Sequence, residues 1–316
     1  MAKTKQVPAA DRYQQKQSFS KIMRRNKYYF IMVLPAVIST FIFCYMPMYG
    51  VLIAFQDYHV GDSILGGEWV GLKHFFEYFD SIYFERTLKN TFLLGIYSLL
   101  WGFPVPLIFA LFLNELQNRH VKKVIQTVSY FPHFISVVVL VGMVKSFLDP
   151  STGIVNIIIQ MLGGEPVSFM NESGWFRTIY VASGIWQGFG WDSIIILSAL
   201  TSLDTEMYES AEIDGASRMQ RILYITLPNL VPTLTILFIM NLGGVMGASL
   251  EKILLMYHPA IWDVSDVIQT YVYRKGILEG AQSFGTAVGL FNSLVNITLL
   301  VISNRVAKKV TGSSLW

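Results

Sequence analysis

Catalytic equipment is absent from this sequence, and so is most of the charge that a soluble surface needs. A single cysteine, Cys44, stands in an apolar run, so no disulfide framework is available and the residue reads as a small buried hydrophobe. The five histidines, His59, His74, His120, His133 and His258, are scattered, with no His-Glu-x-x-His or Cys-x-x-Cys spacing to hold a metal. No Gly-Lys-Ser/Thr occurs, so the chain carries no P-loop with which to hydrolyse ATP, and no Gly-x-Ser-x-Gly elbow marks a serine nucleophile. Charged residues make up 14% of the 316, where soluble domains carry about 25%. Apolar residues make up 53%, and the mean hydropathy is +0.47. That balance excludes a disordered chain and a soluble monomer. A net charge of only +3 offers no footprint for nucleic acid. What remains is an integral membrane protein.

A membrane-spanning helix needs about 20 mostly apolar residues. Six segments qualify: 30–53, 92–113, 124–148, 179–200, 230–250 and 284–303. The fourth holds one acid, Asp192, and the third holds Lys145 near its end. The stretches 153–162 and 253–262 are too short to cross; the first reads as a surface helix. Residues 1–29 are too polar, and the span after them too long, for a cleaved signal peptide. The sequence therefore divides into an N-terminal tail (1–29), a six-span region (30–303) and a C-terminal tail (304–316). Both tails, the loop between spans two and three and the loop between spans four and five carry 16 of the 24 Lys and Arg but only 7 of the 21 acids. The positive-inside rule places that side, and both termini, in the cytoplasm. Gly-x-x-x-Gly pairs at Gly184–Gly188, Gly243–Gly247 and Gly285–Gly289 suit close helix crossings. Pro104 and Pro106 should kink span two, and Pro132 span three.

The loop 201–229 stands apart from the others. Asp204 suits a helix N-cap, and a short helix over 205–213 follows. Asp214-Gly215 breaks it, Ser217 caps a second short helix, and Leu227-Pro228 ends that one before span five. Small residues Ser210, Ala211 and Ala216 would let another protein approach, and Glu209 and Glu212 would offer it charge. The residues alone equally allow a solvated hairpin that only links two spans.

Glu209-Ser210-Ala211, Gly215, Ile225, Leu227 and Pro228 stand at the spacing of the Glu-Ala-Ala loop found in permeases of binding-protein-dependent ABC importers, with Ser210 for the central Ala. The chain resembles that family from about Tyr28 to Trp316. Ile213-Asp-Gly-Ala216 and Ile225-Thr-Leu-Pro228 resemble its carbohydrate-uptake branch. Tyr130-Phe-Pro-His-Phe-Ile-Ser136, Gly188-Phe-Gly-Trp-Asp192, Thr270-Tyr-Val-Tyr-Arg274 and Ser314-Leu-Trp316 look like the subfamily that imports complex or polysaccharide-derived sugars; residues 247–257 fit it less well. The resemblance implies an all-α integral membrane fold, a type I ABC importer permease-like bundle of six transmembrane helices. It implies a non-catalytic subunit that binds no cofactor itself, with ATP and Mg on a separate ATPase. The expected partners are two ABC ATPase subunits, a second homologous permease, an extracellular or periplasmic sugar-binding protein and the lipid bilayer. By the same resemblance Glu209, Ser210, Ala211, Glu212, Asp214, Gly215, Ile225, Leu227 and Pro228 form an ATPase-coupling loop. Glu209 would meet a basic residue, Ala211 would set the close approach, Gly215 would make the corner, and Pro228 would mark re-entry into the membrane.

Sugars are held by hydrogen bonds and flat aromatic faces, so polar and aromatic residues inside spans are candidates for the path: Trp186, Gln187, Trp191, Asp192, Asn241, Asn292 and Asn296, with Tyr97, Trp101 and His133 behind them. Gln187 and Trp191 share one helix face, as do Asn292 and Asn296; Trp186 and Asp192 point to other sides of a regular helix. An intramembrane acid marks function or a helix–helix hydrogen bond. The tryptophans equally suit anchoring at the lipid interface, and the asparagines helix packing. Trp69, Tyr78 and Tyr83, in the long loop 56–91, are either a docking surface or a cap on the bundle. The competing function is a secondary transporter driven by an ion gradient. That would need buried ionisable residues in several spans and an internal repeat, and neither is visible.

Overall fold

The computed structural model describes residues 25–316 apart from 60, 62 and 65. Most of the N-terminal tail, 1–24, therefore lies outside the described residues. The chain forms two compact units with their boundary between Leu52 and Ile53. The first holds α1 (Lys27–Thr40), a π turn (Phe41–Tyr45) and the start of a 3₁₀ stretch (Met46–Phe55) whose last three residues belong to the second. Cys44 is exposed here rather than buried, as suits a helix bathed in lipid.

The second unit is a helical assembly. A two-residue ladder pairs Gln56–Asp57 antiparallel with Glu68–Trp69, a small addition to the expected all-α fold. Beyond it lie α2 (Lys73–Phe79), α3 (Phe84–Gly102), α4 (Pro104–Asn114), α5 (Arg119–Tyr130), α6 (Val137–Phe147) and α7 (Ile154–Met161). Then come α8 (Ser173–Thr201), α9 (Thr205–Ile213), α10 (Arg218–Arg221), α11 (Leu227–Gly243), α12 (Leu250–Met256), α13 (Trp262–Ser265), α14 (Ile268–Val272) and α15 (Gln282–Thr311). Large apolar side chains stay exposed all over this unit, Leu100, Phe112, Ile195, Leu294 and Ile297 among them. In water such patches would aggregate; against lipid they cost nothing.

Among the described residues, four helices are long and apolar enough to cross a membrane: Lys27–Phe55, Phe84–Asn114, Arg218–Gly243 and Gln282–Thr311. A fifth arises if the bent pair Arg119–Phe134 and Val137–Phe147 is one span. The kink expected in the span over 124–148 is a full break: the chain turns through 99°. The break falls at Ile135-Ser136, where Ser136 caps α6 by accepting from Val139 N, rather than at Pro132, which sits in a 3₁₀ turn ahead of it. The expected fourth span lies in α8, whose 29 residues give about 43 Å of helix. It packs against α3, α4, α5, α11 and α13. Gln187 is half-buried among these neighbours, and Asp192 is exposed at a cleft rather than packed in the core.

The segment between spans five and six is not a surface loop. Lys252, Ile253 and Met256 of α12 and Val267 and Ile268 around α14 are buried, and Leu94, Val141, Phe176 and Ile253 share one core cluster. Tyr78 is 1% exposed and centres an aromatic cluster with Phe84, Tyr271 and Phe291. It therefore cannot dock a partner, whereas Trp69 remains exposed, stacked on Phe55.

The tightest crossings are not at the Gly-x-x-x-Gly pairs. A Cβ on Gly95 would collide with the Val245 carbonyl, and one on Gly190 with the Ser129 carbonyl. Of the expected positions, Gly285 packs on Gly276 and Gly243 on Leu300, while Gly289 faces open space.

Candidate coupling loop and translocation path

Local rules build the loop 201–229. Asp204 Oδ1 accepts from Glu206 N at 3.0 Å and starts α9. Gly215, at φ +79°, takes the left-handed turn that ends it, and Ala216 N donates back to Ala211 O. Ser217 and Gln220 form a reciprocal capping box over α10. Two side-chain bonds close the corner: Glu212 Oε2 accepts from Arg221 Nη1 at 2.8 Å, and the Tyr208 and Thr226 hydroxyls pair at 3.0 Å. Glu212 is thus engaged inside the loop, and Glu209 is exposed, as are Ser210, Asp214 and Gly215; Ala211 is half-buried beneath them.

One expectation fails here. Leu227-Pro228 does not end the second helix; Arg218–Gly243 runs on as one 26-residue element. A proline lacks its N–H and crowds the carbonyl four residues back. The π turn over Ile222–Thr226 widens the ladder at that point, and Asn229 Nδ2 donates to the Ile225 carbonyl at 2.8 Å. Sequence reasoning also missed the apolar part of this face: Ile213 is 87% exposed, and Met219, Leu223 and Tyr224 are exposed nearby in the chain.

The path candidates separate into groups. Trp191, Asp192 and Asn241 line one cleft of about 360 Å³ together with Gly102 and Phe103. Asn241 also lines a second cleft, of about 530 Å³, with Ser98, Tyr180, Gly244, Gly247 and Ser249. Trp186 lies elsewhere, in an apolar cleft with Phe147, Phe169 and Trp175. Gln187 holds the bend in span three: its Nε2 donates to the Ile135 carbonyl at 2.8 Å. Trp191 stacks flat on His133, with centroids 4.4 Å apart. Asn292 and Asn296 both turn to one residue, Met246: Asn296 Oδ1 accepts from its N–H at 3.1 Å and Asn292 Nδ2 donates to its carbonyl at 3.3 Å. They pin the irregular segment that follows α11.

A buried charge cluster went unseen in the sequence. The Asp266 carboxylate is 0% exposed and pairs with Arg86 at 2.7 Å and Arg274 at 3.1 Å. Arg274 Nη1 also donates to the Tyr257 hydroxyl at 2.6 Å. Asn90 donates to the Asp263 and Asp266 carbonyls and accepts from Arg177 Nη2 at 3.0 Å. The cluster ties α3, α8 and the segment before α14 together at the end of α8 remote from the loop 201–229.

Residues 84–312 match the family described as binding-protein-dependent transport system inner membrane component. The chain is 40% identical to the protein LplB of Bacillus subtilis (strain 168) over 299 residues, 95% of this chain and 94% of that one. It is 39% identical to the polygalacturonan/rhamnogalacturonan transport system permease protein YteP of the same organism over 309 residues, 96% of each. It is also similar to a chain in the crystal structure of a bacterial alginate ABC transporter in complex with an alginate pentasaccharide-bound periplasmic protein. That match has a TM-score of 0.86 and 39% identity and covers 95% of this chain and 100% of the other. The chain therefore belongs to the family of inner-membrane components of binding-protein-dependent transport systems, the permease subunits of ABC importers.

Proposed function

We propose that this chain is one permease half of an ATP-driven importer for oligosaccharides or other complex carbohydrates. A second, homologous permease completes the pore, two ABC ATPases that hold ATP and Mg power it, and an extracellular or periplasmic binding protein delivers the sugar. The helix–Gly215–helix element carries this reading, in a chain whose relatives include a polygalacturonan/rhamnogalacturonan permease. Glu209, Ala211 and Gly215 form the contact with the ATPase, and the exposed Ile213 adds an apolar anchor beside them. Closure of the ATPases then moves α9 and α10, and α11 transmits the movement because it is continuous with α10 through the π turn. Six spans cross the cytoplasmic membrane, α8 and the bent α5–α6 pair included, with both termini and the loop 201–229 in the cytoplasm. The tails are 1–29 and 304–316 around a spanning region of 30–303. The clefts that share Asn241 form part of the sugar path, with Asp192 and Trp191 on one wall.

The test is ATP hydrolysis by the complete complex in proteoliposomes with its binding protein. A saccharide that raises the rate, and accumulates inside, supports the reading; hydrolysis indifferent to every saccharide tried contradicts it.

A further inference from the structure

Arg177 is a cation out of place. It lies in the second turn of α8. No carboxylate among the described residues lies within ion-pair distance of it. Arg86 and Arg274 share Asp266, but Arg177 reaches that cluster only through the neutral amide of Asn90. A guanidinium has five N–H donors. One of Arg177's is spent on Asn90, and its buried Nε has no partner. Such a charge is retained at a cost unless something supplies the missing acceptors.

The space beside it suits a particular supplier. Arg177 lines a cleft of about 570 Å³ with Tyr97, Trp101, Ser173 and Thr178. Tyr97 and Trp101 are exposed rings one helical turn apart on α3, a flat platform for the C–H faces of a sugar. Thr178 adds a hydroxyl group, while that of Ser173 donates to Asp263 Oδ1 at 2.6 Å. A guanidinium binds a planar carboxylate through two parallel hydrogen bonds. We infer that this cleft is a subsite for a carboxylate-bearing sugar unit, with Arg177 gripping the carboxylate and Tyr97 and Trp101 carrying the ring. The inference rests on the saccharide-import reading above and narrows it to acidic saccharides. Three of the basic residues assigned to the external side meet here: Arg86 and Arg274 pair with the buried Asp266, and Arg177 joins them through Asn90. Three guanidiniums against two carboxylates, Asp266 and Asp263, leave the cleft region locally positive on a side otherwise rich in acids, which draws an anionic sugar to this place.

The experiment compares trigalacturonate with its methyl ester, which keeps the sugar rings and removes the charge. Binding of each to the purified complex of both permeases and both ATPases is followed by titration calorimetry. Wild type should favour the acid by about tenfold or more, the scale of a hydrogen bond to a charged group. R177Q should erase that preference, and R177K should keep part of it, in complexes that size exclusion shows to be intact. A preference that survives R177Q, or a wild type that binds acid and ester equally or binds neither, overturns the subsite while leaving the import reading to the hydrolysis assay. A complex whose hydrolysis answers to no saccharide overturns the import reading itself.

Discussion

Asp266 and Arg86 stand 180 positions apart in the chain, yet a carboxylate oxygen of the first lies 2.7 Å from Nη2 of the second. Arg274 closes on the same carboxylate from eight residues away. Truncating the acid leaves two guanidiniums facing each other around a buried hole, and breaking a buried pair from one side costs about 3–5 kcal/mol. Asp266→Ala should therefore lower the unfolding temperature of the detergent-purified complex sharply. Arg86→Ala should cost less, because Asp266 keeps Arg274 and Arg86 is itself a third exposed. Equal losses for the two variants would show that the acid is not the centre of the cluster.

The glycine crossings make a second prediction. Gly95→Ala drives a methyl group into the Val245 carbonyl, and backbone on both sides leaves it nowhere to go. A loss of at least about 1–3 kcal/mol is expected, the range for overpacking. Gly289→Ala, facing open space within α15, should instead be neutral or stabilise by up to about 1 kcal/mol through helix propensity. The recovery of monodisperse protein after a graded heat step separates the two.

Gln187 offers a third. Its amide serves the Ile135 carbonyl at the 99° bend, where no helical donor is available. Gln187→Leu should leave that carbonyl without its partner, at about 1–3 kcal/mol, while a residue that only touched sugar would leave the unfolding temperature unchanged when replaced. Thermal unfolding of the variant without substrate decides between the two roles.

The form of the loop 201–229 was legible because its signals are local. Asp204, Gly215 and Ser217 each fix backbone within three residues of themselves, and the helix over 205–213 falls where they place it. The continuation past Pro228 was not legible, because a π turn has no sequence signature to set against a proline. The remaining misses share another cause. Asp266 with Arg86, Asn296 with Met246, and Gln187 with Ile135 are pairings across 180, 50 and 52 positions. Each satisfies a buried polar group by a partner that only the packed fold brings near.

Capture of the ATPase subunit tests the central claim most directly. The full-length chain, co-expressed with its partner permease, is used to pull the ATPase from solubilised membranes, as wild type, Glu209→Lys and Gly215→Pro. Membrane insertion and permease pairing are verified for each. Gly215 adopts φ +79°, which proline cannot reach, so the corner should be lost, while Glu209→Lys reverses an exposed charge and leaves the corner intact. The account predicts capture by wild type and a loss of at least about tenfold in both variants, the scale of a charged contact. Inserted, paired wild-type protein that captures no ATPase, or variants that capture it as wild type does, would contradict it.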